Sequence, residues 1–267
     1  MKAEQFPGAV FARLALTAAL LLAGTFWALP SLSADAIDPD ADKILRSMSA
    51  YIGGLKAFSM NADIDTEVIM NDGQKLQLSS SANLVVERPG KFHFKRKGML
   101  ADAEVNFDGK TLTLYERNLN VYFQKEVPGT IDNAIRALEF ETGVDVPGAD
   151  LLFADPYAVL SPGNFRGEYI GTAFVGGVEC HHLAFRKDKV DWQLWVKVGP
   201  EPLPVKQVIT TKWMTGSPQF SVRVRNWNDK PQIKRDQFTF RAPKGARKTG
   251  AIAANDMGEI AANEEAK

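Results

Sequence analysis

Cysteine and histidine side chains that could act together in catalysis occur in one short segment, where Cys180 and His182 are two residues apart. Such residues share a face of an extended strand, and Asp191 on the next predicted strand could orient the imidazole. A thiol, an imidazole and a carboxylate are the groups that cysteine hydrolases use. However, no helix N-terminus is predicted beside Cys180 to lower the pKa of its thiol. We therefore predict no catalytic residues, and a hydrolase based on Cys180 and His182 stays an alternative.

The same segment contains possible metal ligands, because Cys180 and His182 with a third residue such as His93 would supply sulfur and nitrogen donors. The sequence has no second C-x-x-C or H-x-H pair to complete such a set. It also lacks the G-x-S-x-G, G-x-G-x-x-G and P-loop motifs. We therefore predict a protein that is not an enzyme and has no metal site and no cofactor.

The composition is that of an ordinary folded domain, with 45% hydrophobic and 24% charged residues in a chain of 267. The 32 basic and 32 acidic residues cancel, and no long run of like charge is hidden behind this balance. Nucleic-acid binding normally requires a basic surface. The charge pattern therefore argues against a nucleic-acid partner.

A secretory signal peptide is predicted for residues 1–36. Lys2 and Arg13 precede an apolar run of 16 residues at positions 14–29, and small residues ending in Ala34-Asp35-Ala36 follow it. The run is shorter than the about 20 residues that a membrane-spanning helix needs. We expect cleavage and a periplasmic product, while a retained membrane anchor stays an alternative. With Cys180 as the one cysteine, no internal disulfide can form.

The hydrophobic patterns predict a mainly β protein with covering helices (α+β) in one domain, residues 37–243. A helix should begin after the cap and proline at Asp38-Pro39 and end at Gly53-Gly54. Period-two patterns between turn residues predict about 11 antiparallel strands, at 58–70, 75–86, 91–97, 103–107, 111–116, 121–126, 167–175, 178–186, 190–198, 205–212 and 219–227, with a last edge strand at 238–240. Residues 244–267 have almost no bulky apolar side chain and are predicted to form a disordered tail.

Residues 130–160 form an insertion with helical periodicity and an unusually apolar composition for a surface connection. Leu151, Leu152 and Phe153 need an apolar surface to pack against, yet glycine and proline residues interrupt the helices around them. Two interpretations stay open at this point. The segment is either permanent core that fills the sheet or a movable lid that a greasy ligand displaces.

Two sets of motifs resemble known families. The first set resembles the periplasmic lipoprotein carrier LolA and its relatives, and it consists of Arg88-Pro89, Phe92-His93-Phe94, Asp108-Gly109-Lys110-Thr111-Leu112 and the segment from Phe238 to Gly245. The second set resembles a family of predicted periplasmic proteins of unknown function, and it consists of Cys180-His181-His182-Leu183-Ala184-Phe185, Asp191-Trp192-Gln193-Leu194-Trp195 and Pro202-Leu203-Pro204. Neither set supplies a catalytic mechanism.

The resemblance to LolA implies a strongly curved antiparallel sheet, an unclosed barrel, whose concave apolar face is covered by helices and holds acyl chains. It also implies that Arg88 latches the lid, although a cation at a strand end would explain this arginine equally. The residues expected to contact an apolar or lipid-like ligand are Phe92, Phe94, Leu112, Leu114, Leu151, Leu152, Phe153, Trp192 and Leu194.

The expected partners follow from the same resemblance. We predict a monomer that binds an apolar or lipid-like ligand, with a lipoprotein or an envelope protein as a further candidate partner and with transient membrane contact. A non-enzymatic structural or protein-interaction module of the envelope is the alternative function.

Overall fold

A computed structural model describes residues 37–99, 102–143, 146–161 and 166–251. The predicted signal peptide of residues 1–36 and its cleavage site lie outside the described residues. No helix in the described ranges is long and apolar enough to cross a membrane.

Nearly half of the described residues form strands, as the alternating patterns predicted. The strands are β1 (Ala57–Ile69), β2 (Lys75–Glu87), β3 (Lys91–Gly98), β4 (Asp102–Phe107), β5 (Thr111–Glu116), β6 (Val121–Glu126), β7 (Arg166–Val175), β8 (Val178–Arg186), β9 (Val190–Lys197), β10 (Pro204–Thr211), β11 (Gln219–Asn228) and β12 (Arg247–Lys248). They form one unclosed sheet in the order β12-β6-β5-β4-β3-β2-β1-β11-β10-β9-β8-β7. Neighbours are antiparallel except for β12, which runs parallel to β6.

The first hairpin shows how local sequence sets the register of the sheet. β1 and β2 pair without a break from Ala57↔Glu87 to Ile69↔Lys75. Their turn contains Gly73 with φ +86°, a left-handed conformation that glycine adopts without steric cost. Because side chains alternate between faces, this register places all even-numbered residues of β1 on one face of the sheet.

The helices cover one face of the sheet, as predicted, and this face is concave. They are α1 (Pro39–Gly54), α2 (Ile131–Thr142), a 3-10 helix (Ala149–Leu152) and α3 (Pro156–Leu160). Asp38 caps α1 by accepting a hydrogen bond from the amide of Asp40 at 2.7 Å, and Thr130 caps α2 through the amide of Asn133 at 3.2 Å. Asp155 caps α3 by accepting a hydrogen bond from the amide of Ala158 at 3.1 Å.

Each helical region builds its own core on a different part of the sheet. α1 packs Leu45 and Ile52 against Leu183 and Leu194, which lie on strands β8 and β9. α2 packs its apolar side chains against strands β2–β6, where Phe107, Leu112 and Leu114 are almost completely buried. The concave face is therefore covered in two places by separate parts of the chain.

The C-terminal segment lies against the opposite, outer face of β3–β6. The ring of Phe240 packs beside Tyr115 and Tyr122, with centroid distances of 5.7 and 5.3 Å. The predicted edge strand at 238–240 is therefore wrong. Two aromatic side chains that alternate with Thr239 mimic a strand pattern, but here they pack across a sheet face instead of extending an edge.

The edge of the sheet beside β6 is occupied by β12. Arg247 and Lys248 pair with Val121 and Tyr122, so the predicted disordered tail begins too early at Lys244. Backbone hydrogen bonds to Asn120 and Tyr122 hold this segment in place, although it has almost no bulky apolar side chains to bury. The sheet consequently has twelve strands rather than about 11. Residues 252–267 of the predicted tail lie outside the described residues.

A half-buried carboxylate, Glu104, links this C-terminal segment to the sheet. Glu104 accepts a hydrogen bond from Nε2 of His93 at 3.0 Å, and Nδ1 of His93 lies 3.2 Å from the amide nitrogen of Gln237. With Nε2–H donated to Glu104, Nδ1 of the neutral ring accepts from Gln237. Burial raises the pKa of Glu104, but hydrogen bonds from His93 and Asn106 and the charge of Lys95 outweigh it and lower the pKa to about 2.

We expect Glu104→Gln to lower the free energy of unfolding at pH 7 by about 3 kcal/mol, the amount that corresponds to the pKa difference between the unfolded and folded states. The folded-state pKa lies below the ordinary value of 4.5. The stabilisation is therefore complete above that value and is lost as the pH falls towards 2. Urea denaturation between pH 2 and 7 measures the free energy of unfolding of each variant. Glu126→Gln, at an exposed position, is the control. A difference between Glu104→Gln and wild type that does not change with pH would contradict the assignment.

Candidate functional site

An apolar cavity lies between the concave face and the segment that covers it, which we call the covering segment (residues 130–143 and 146–160). Its volume is about 170 Å³. The sheet contributes large apolar side chains to its wall, among them Met60, Ile64, Leu84, Phe92, Phe94, Val105 and Leu114. The covering segment contributes the opposite wall through Ile135, Leu138, Val146, Ala149, Leu151 and Leu152.

Three alanines in one row across the sheet make room for the cavity. Ala62 pairs with Ala82, Ala82 pairs with Arg96, and Arg96 pairs with Ala103, so the row crosses β1, β2, β3 and β4. Directly paired side chains share a face, and all four residues line the cavity. A methyl group fills far less space than the leucine or phenylalanine of the neighbouring rows. The covering segment therefore cannot close against the sheet at this row.

One end of the cavity is only partly closed. Met60, Phe94, Phe220 and Val222 line it and are half-buried, whereas Leu84 and Leu114 at its floor are almost fully buried. These half-buried side chains form a contiguous apolar patch next to the cavity. Such a patch provides an entrance that an apolar molecule can reach from solvent.

A charged side chain also belongs to the cavity wall. Arg96 is 7% exposed, and its Nε and Nη2 atoms donate to Ser80 Oγ at 3.0 Å and Thr66 Oγ1 at 3.3 Å. The sequence analysis did not select this residue. The signal was nevertheless present, since Arg96 follows Phe92 and Phe94 at the spacing of two that places all three side chains on one face of β3.

The covering segment crosses the concave face in short pieces. α2 ends at Gly143 with φ +71°, and Gly148 with φ +82° begins the 3-10 helix. A Cβ atom at position 148 would lie 3.5 Å from Oε1 of Gln207 on β10. That distance is an ordinary van der Waals contact, so the left-handed backbone alone explains why glycine stands at this point, where the segment turns over the cavity.

The base of the covering segment rests on the turn that contains Arg88 and Pro89. The amide of Ile131 donates to the carbonyl of Pro89 at 2.9 Å, which starts α2 at this turn. A Cβ atom on Gly90 would lie only 2.5 Å from the carbonyl oxygen of Gly129, so the two turns touch through their backbones. Glycine at position 90 is therefore required by close packing.

Arg88 connects this turn to the far end of the covering segment. Its Nη1 donates to the carbonyl of Leu152 at 2.7 Å, while Nε and Nη2 are buried and have no hydrogen-bond partner in the described ranges. Burial lowers the pKa of the guanidinium, and the charge of Asp132 partly opposes this effect. Asp132 in turn accepts from the amide of Ala154 at 3.0 Å. Arg88 thus joins the turn to the covering segment, while its role as a latch stays a prediction.

The nine residues predicted to contact a ligand fall into three groups. Those that line the cavity are Phe92, Phe94, Leu114, Leu151 and Leu152. Those buried in the core beneath α2 are Leu112 and Phe153. Those buried in the core beneath α1 are Trp192 and Leu194. Their roles in ligand binding stay predictions, but the structure brings together only the first group around one open space.

The register of β8 and β9 separates the groups of the predicted nucleophilic site. Asp191 lies opposite Arg186, four positions along β8 from His182, which corresponds to about 13 Å. Asp191 forms ion pairs with Arg186 and Lys212. His182 instead contacts Gln193 at 2.9 Å. Asp191 is therefore not positioned to orient His182, because the alternative of a nucleophilic site required a hairpin register that the strands do not adopt.

The alternative metal combination of Cys180, His182 and His93 is not brought together either. His93 is on β3, six strands away from β8 in the sheet order, and is bonded to Glu104. Among the described residues, no group of three or more histidine, cysteine, aspartate or glutamate side chains is arranged to hold a metal ion.

The thiol of Cys180 is inaccessible. Cys180 is completely buried, and its Sγ lies 3.4 Å from the carbonyl oxygen of Val178. Burial raises the pKa of this thiol, and the negative charge of Glu179 raises it further. Because the thiolate is the reactive form, both effects make Cys180 a poor nucleophile near neutral pH.

We expect native protein to react with a thiol reagent such as DTNB on the order of 100-fold more slowly than protein unfolded in guanidinium chloride, since reaction requires exposure and ionisation of Cys180. The absorbance change at pH 8 measures both rates, and Cys180→Ser provides the blank. Rapid stoichiometric labelling of the native protein, with a labelling rate whose pH profile has its midpoint below pH 8, would contradict this prediction and restore a nucleophilic role.

Solved structures of several other proteins have a similar arrangement of strands. An uncharacterised conserved protein of Thermus thermophilus is 12% identical with a TM-score of 0.47, covering 79% of this chain and 98% of that one. MucB is 15% identical with a TM-score of 0.43, covering 78% and 65%. A LolA superfamily protein of Nitrosomonas europaea is 8% identical with a TM-score of 0.35, covering 75% and 97%.

Among curated proteins, none matches this sequence. A family model described as a predicted periplasmic protein (DUF2092) matches residues 41–250. The matched region contains all twelve strands and all helices except the first residues of α1. The second resemblance found in the sequence is thereby confirmed. The chain belongs to DUF2092, a family of predicted periplasmic proteins.

Proposed function

We propose that this protein is exported by a cleaved signal peptide at residues 1–36 and, as a periplasmic monomer, binds an apolar, lipid-like ligand on the concave face of its sheet. The observation that carries the proposal is the cavity of about 170 Å³ whose wall is made almost completely of apolar side chains. Burial of a hydrocarbon in such a site is favourable because it removes apolar surface of both partners from water.

The size of the cavity indicates how much of a ligand it accepts in this conformation. Apolar cavities of about 150 Å³ stay dry and bind molecules of the size of benzene. The space of about 170 Å³ therefore accepts a ring or a short piece of hydrocarbon. A complete acyl chain has to extend through the entrance beside Phe94 or displace the covering segment.

The covering segment has the features of a part that moves. Breaks at Gly143, Gly148 and Asp155-Pro156 divide it into short helices, and short helices gain most of their stability from tertiary packing. Its packing against the alanine row is incomplete because the cavity lies there. We therefore assign the segment the role of a lid, with Arg88 as the latch through its bond to Leu152.

The proposal assigns no enzymatic activity. Cys180 is buried, its thiol pKa is raised, and Asp191 pairs with residues away from His182. The apolar cavity and the only cysteine of the sequence also belong to different regions, since Cys180 is on β8 and the cavity is lined from β1–β5, β11 and the covering segment. A binding role uses the cavity, whereas a hydrolase based on Cys180 would not.

Filling the alanine row is expected to weaken ligand binding. Ala82→Phe adds a ring inside the cavity and should weaken the binding of dodecanol by about tenfold or more, because a buried apolar chain would lose its space. Asn83→Phe is the matched control, since its side chain is exposed and points to the outer face. Displacement of a fluorescent apolar probe measures both affinities. Equal binding by the two variants, with both folded, would contradict the proposed site.

Native mass spectrometry after gentle purification tests the same proposal without a chosen ligand. Co-purified lipid in the wild type, reduced in Ala82→Phe, is the expected result. A stable protein partner without lipid would instead favour an interaction module of the envelope.

The lid assignment predicts that amides in the covering segment exchange with deuterium faster than those of β5 in the free protein, and that dodecanol slows them. Arg88→Leu should accelerate this exchange further by removing the bond to Leu152. Arg186→Leu, which removes an exposed arginine from β8, is the control. If the covering segment exchanges as slowly as β5 and responds to neither change, it is permanent core and the latch assignment fails.

A further inference from the structure

Exposed large apolar side chains are concentrated at one end of the sheet, on the turns that follow β1, β3, β5 and β10. Seven such side chains are exposed among the described residues, and four lie on these turns: Met70, Met99, Leu119 and Trp213. Three of the turns are neighbours, because β3, β2, β1, β11 and β10 lie side by side in the sheet. A single exposed apolar residue is ordinary, whereas a group on adjacent turns indicates an interaction site. We call Met70, Met99 and Trp213 the apolar end.

The β1–β2 and β10–β11 turns are in direct contact. A Cβ atom on Gly216 would lie 3.1 Å from Cδ1 of Ile69. Met70 follows Ile69 directly, and Trp213 belongs to the turn that contains Gly216. Both Met70 and Trp213 are 44% exposed. The two side chains therefore belong to one surface formed by two touching turns.

The β1–β2 hairpin projects beyond its neighbour β3. Pairing between β2 and β3 begins at Ser80↔Gly98, so residues 75–79 of β2 have no strand beside them on the β3 side in the described ranges. A strand segment of this length spans roughly 17 Å. The turn that carries Met70 can consequently meet another surface before the body of the sheet does.

An apolar strip leads from the cavity to this turn along the concave face of the hairpin. Ile64 and Phe220 line the cavity, and the next apolar residues outward on the same face, Val68, Leu76 and Leu78, are half-buried. Leu76 pairs with Val68 across the hairpin. The other face of the same strands is polar, with Glu67, Gln77 and Ser79. The projecting hairpin therefore has one apolar face and one polar face.

We propose that the apolar end docks on the surface of a lipid bilayer, with Met70 and Trp213 inserted at the level of the head groups. Tryptophan is enriched at this level in membrane proteins, because its ring is apolar and its N–H is polar. Polar Asn71 and Asp72 in the hairpin turn keep the insertion shallow. The docking goes beyond the proposed function, whereas use of the strip as a path between bilayer and cavity rests on that function.

The size of the apolar end favours a bilayer over a protein partner. A fully buried aromatic side chain covers about 150–250 Å², so three large side chains that are roughly half exposed offer on the order of 300 Å². A specific protein interface buries about 800 Å² of each partner. A bilayer, in contrast, takes up single side chains without a matching surface. The same comparison argues against a stable dimer formed through this end.

Charge is not expected to drive the docking. The turns that carry Met70 and Trp213 contain one acidic and one basic residue, Asp72 and Lys212. Lys212 also forms an ion pair with Asp191 at 2.8 Å. We therefore expect docking on uncharged phosphatidylcholine and a weak response to salt.

Flotation with phosphatidylcholine vesicles tests the docking on the exported protein without its signal peptide. Wild type should float with the vesicles. Met70→Ser combined with Trp213→Ser should weaken the partition about tenfold or more, because two large apolar side chains no longer enter the bilayer. Phe174→Ser is the matched control, since Phe174 is 73% exposed but lies beside the β7–β8 turn at the opposite end of the sheet. Circular dichroism and thermal unfolding establish that each variant is folded.

A site-specific label reports which part of the protein enters the bilayer. Cys180 is the only cysteine of the sequence and is buried. Cys180→Ser combined with Met70→Cys therefore accepts an environment-sensitive fluorophore at the hairpin turn alone. Vesicles should shift its emission to the blue, whereas the same label at Phe174→Cys should not respond. This measurement keeps the inference testable if the double serine variant fails to fold.

The outcomes distinguish this inference from the proposed function. Ala82→Phe should float like wild type although it binds dodecanol less tightly, and loss of its flotation would overturn the docking because the cavity would then hold the lipid. Failure of wild type to float, or equal partition of wild type and the double serine variant, overturns the docking and leaves the ligand site untouched. Flotation that requires phosphatidylglycerol and is lost in salt overturns it too, since charge would then hold the protein. A dimer that the double serine variant loses would assign the apolar end to a second copy instead.

Discussion

Burial of the concave apolar face is the constraint on which the rest of the structure depends. Twelve strands at a spacing of about 4.8 Å make a sheet roughly 50 Å across, whereas a helix with its side chains is about 10–12 Å wide. No single helix can cover such a face. The chain meets this demand with α1 over β8 and β9 and with the covering segment over β2–β6, and the two covers build separate cores. The cavity lies where the second cover passes over small side chains.

The outer face of the sheet is packed only in part. The C-terminal segment covers β3–β6 from outside, and polar side chains such as Asn106 and Thr113 are consequently buried at 2% exposure. Both have hydrogen-bond partners, Glu104 and Gln124 respectively, which removes the cost of burying them. Strands β3–β5 beneath the cavity are thus packed on both faces, whereas the covering segment above them is divided into short helices.

The charged side chains near the cavity have different surroundings and therefore different consequences. Arg88 lies at the base of the covering segment, where its bond to the carbonyl of Leu152 joins two parts of the chain that are distant in sequence. Arg96 lies on the sheet itself, held by Ser80 and Thr66 and facing the cavity. The first is bonded to the covering segment, whereas the second is part of the cavity wall beneath that segment. Desolvation of either cation has a cost that an entirely apolar core would avoid.

The sequence by itself determined the features that depend on neighbouring residues. The caps at Asp38 and Thr130, the hairpin glycine at position 73 and the alternating strands were predictable, because capping, turn geometry and side-chain direction are set within a few residues. The resemblance to periplasmic families added the unclosed sheet and the position of Arg88.

Tertiary structure decided everything that depends on which strands meet. The register of β8 and β9 places Asp191 opposite Arg186, so Asp191 is not beside His182 as the alternative of a nucleophilic site required. Strand order placed Ala82 and Ala103 on both sides of Arg96, although nothing local to these residues predicts their contact. Phe240 packs on a sheet face instead of extending an edge because Arg247–Lys248 occupies that edge. The strand pattern predicts that an apolar residue will be buried. Long-range packing decides whether the rest of the protein or a ligand buries it.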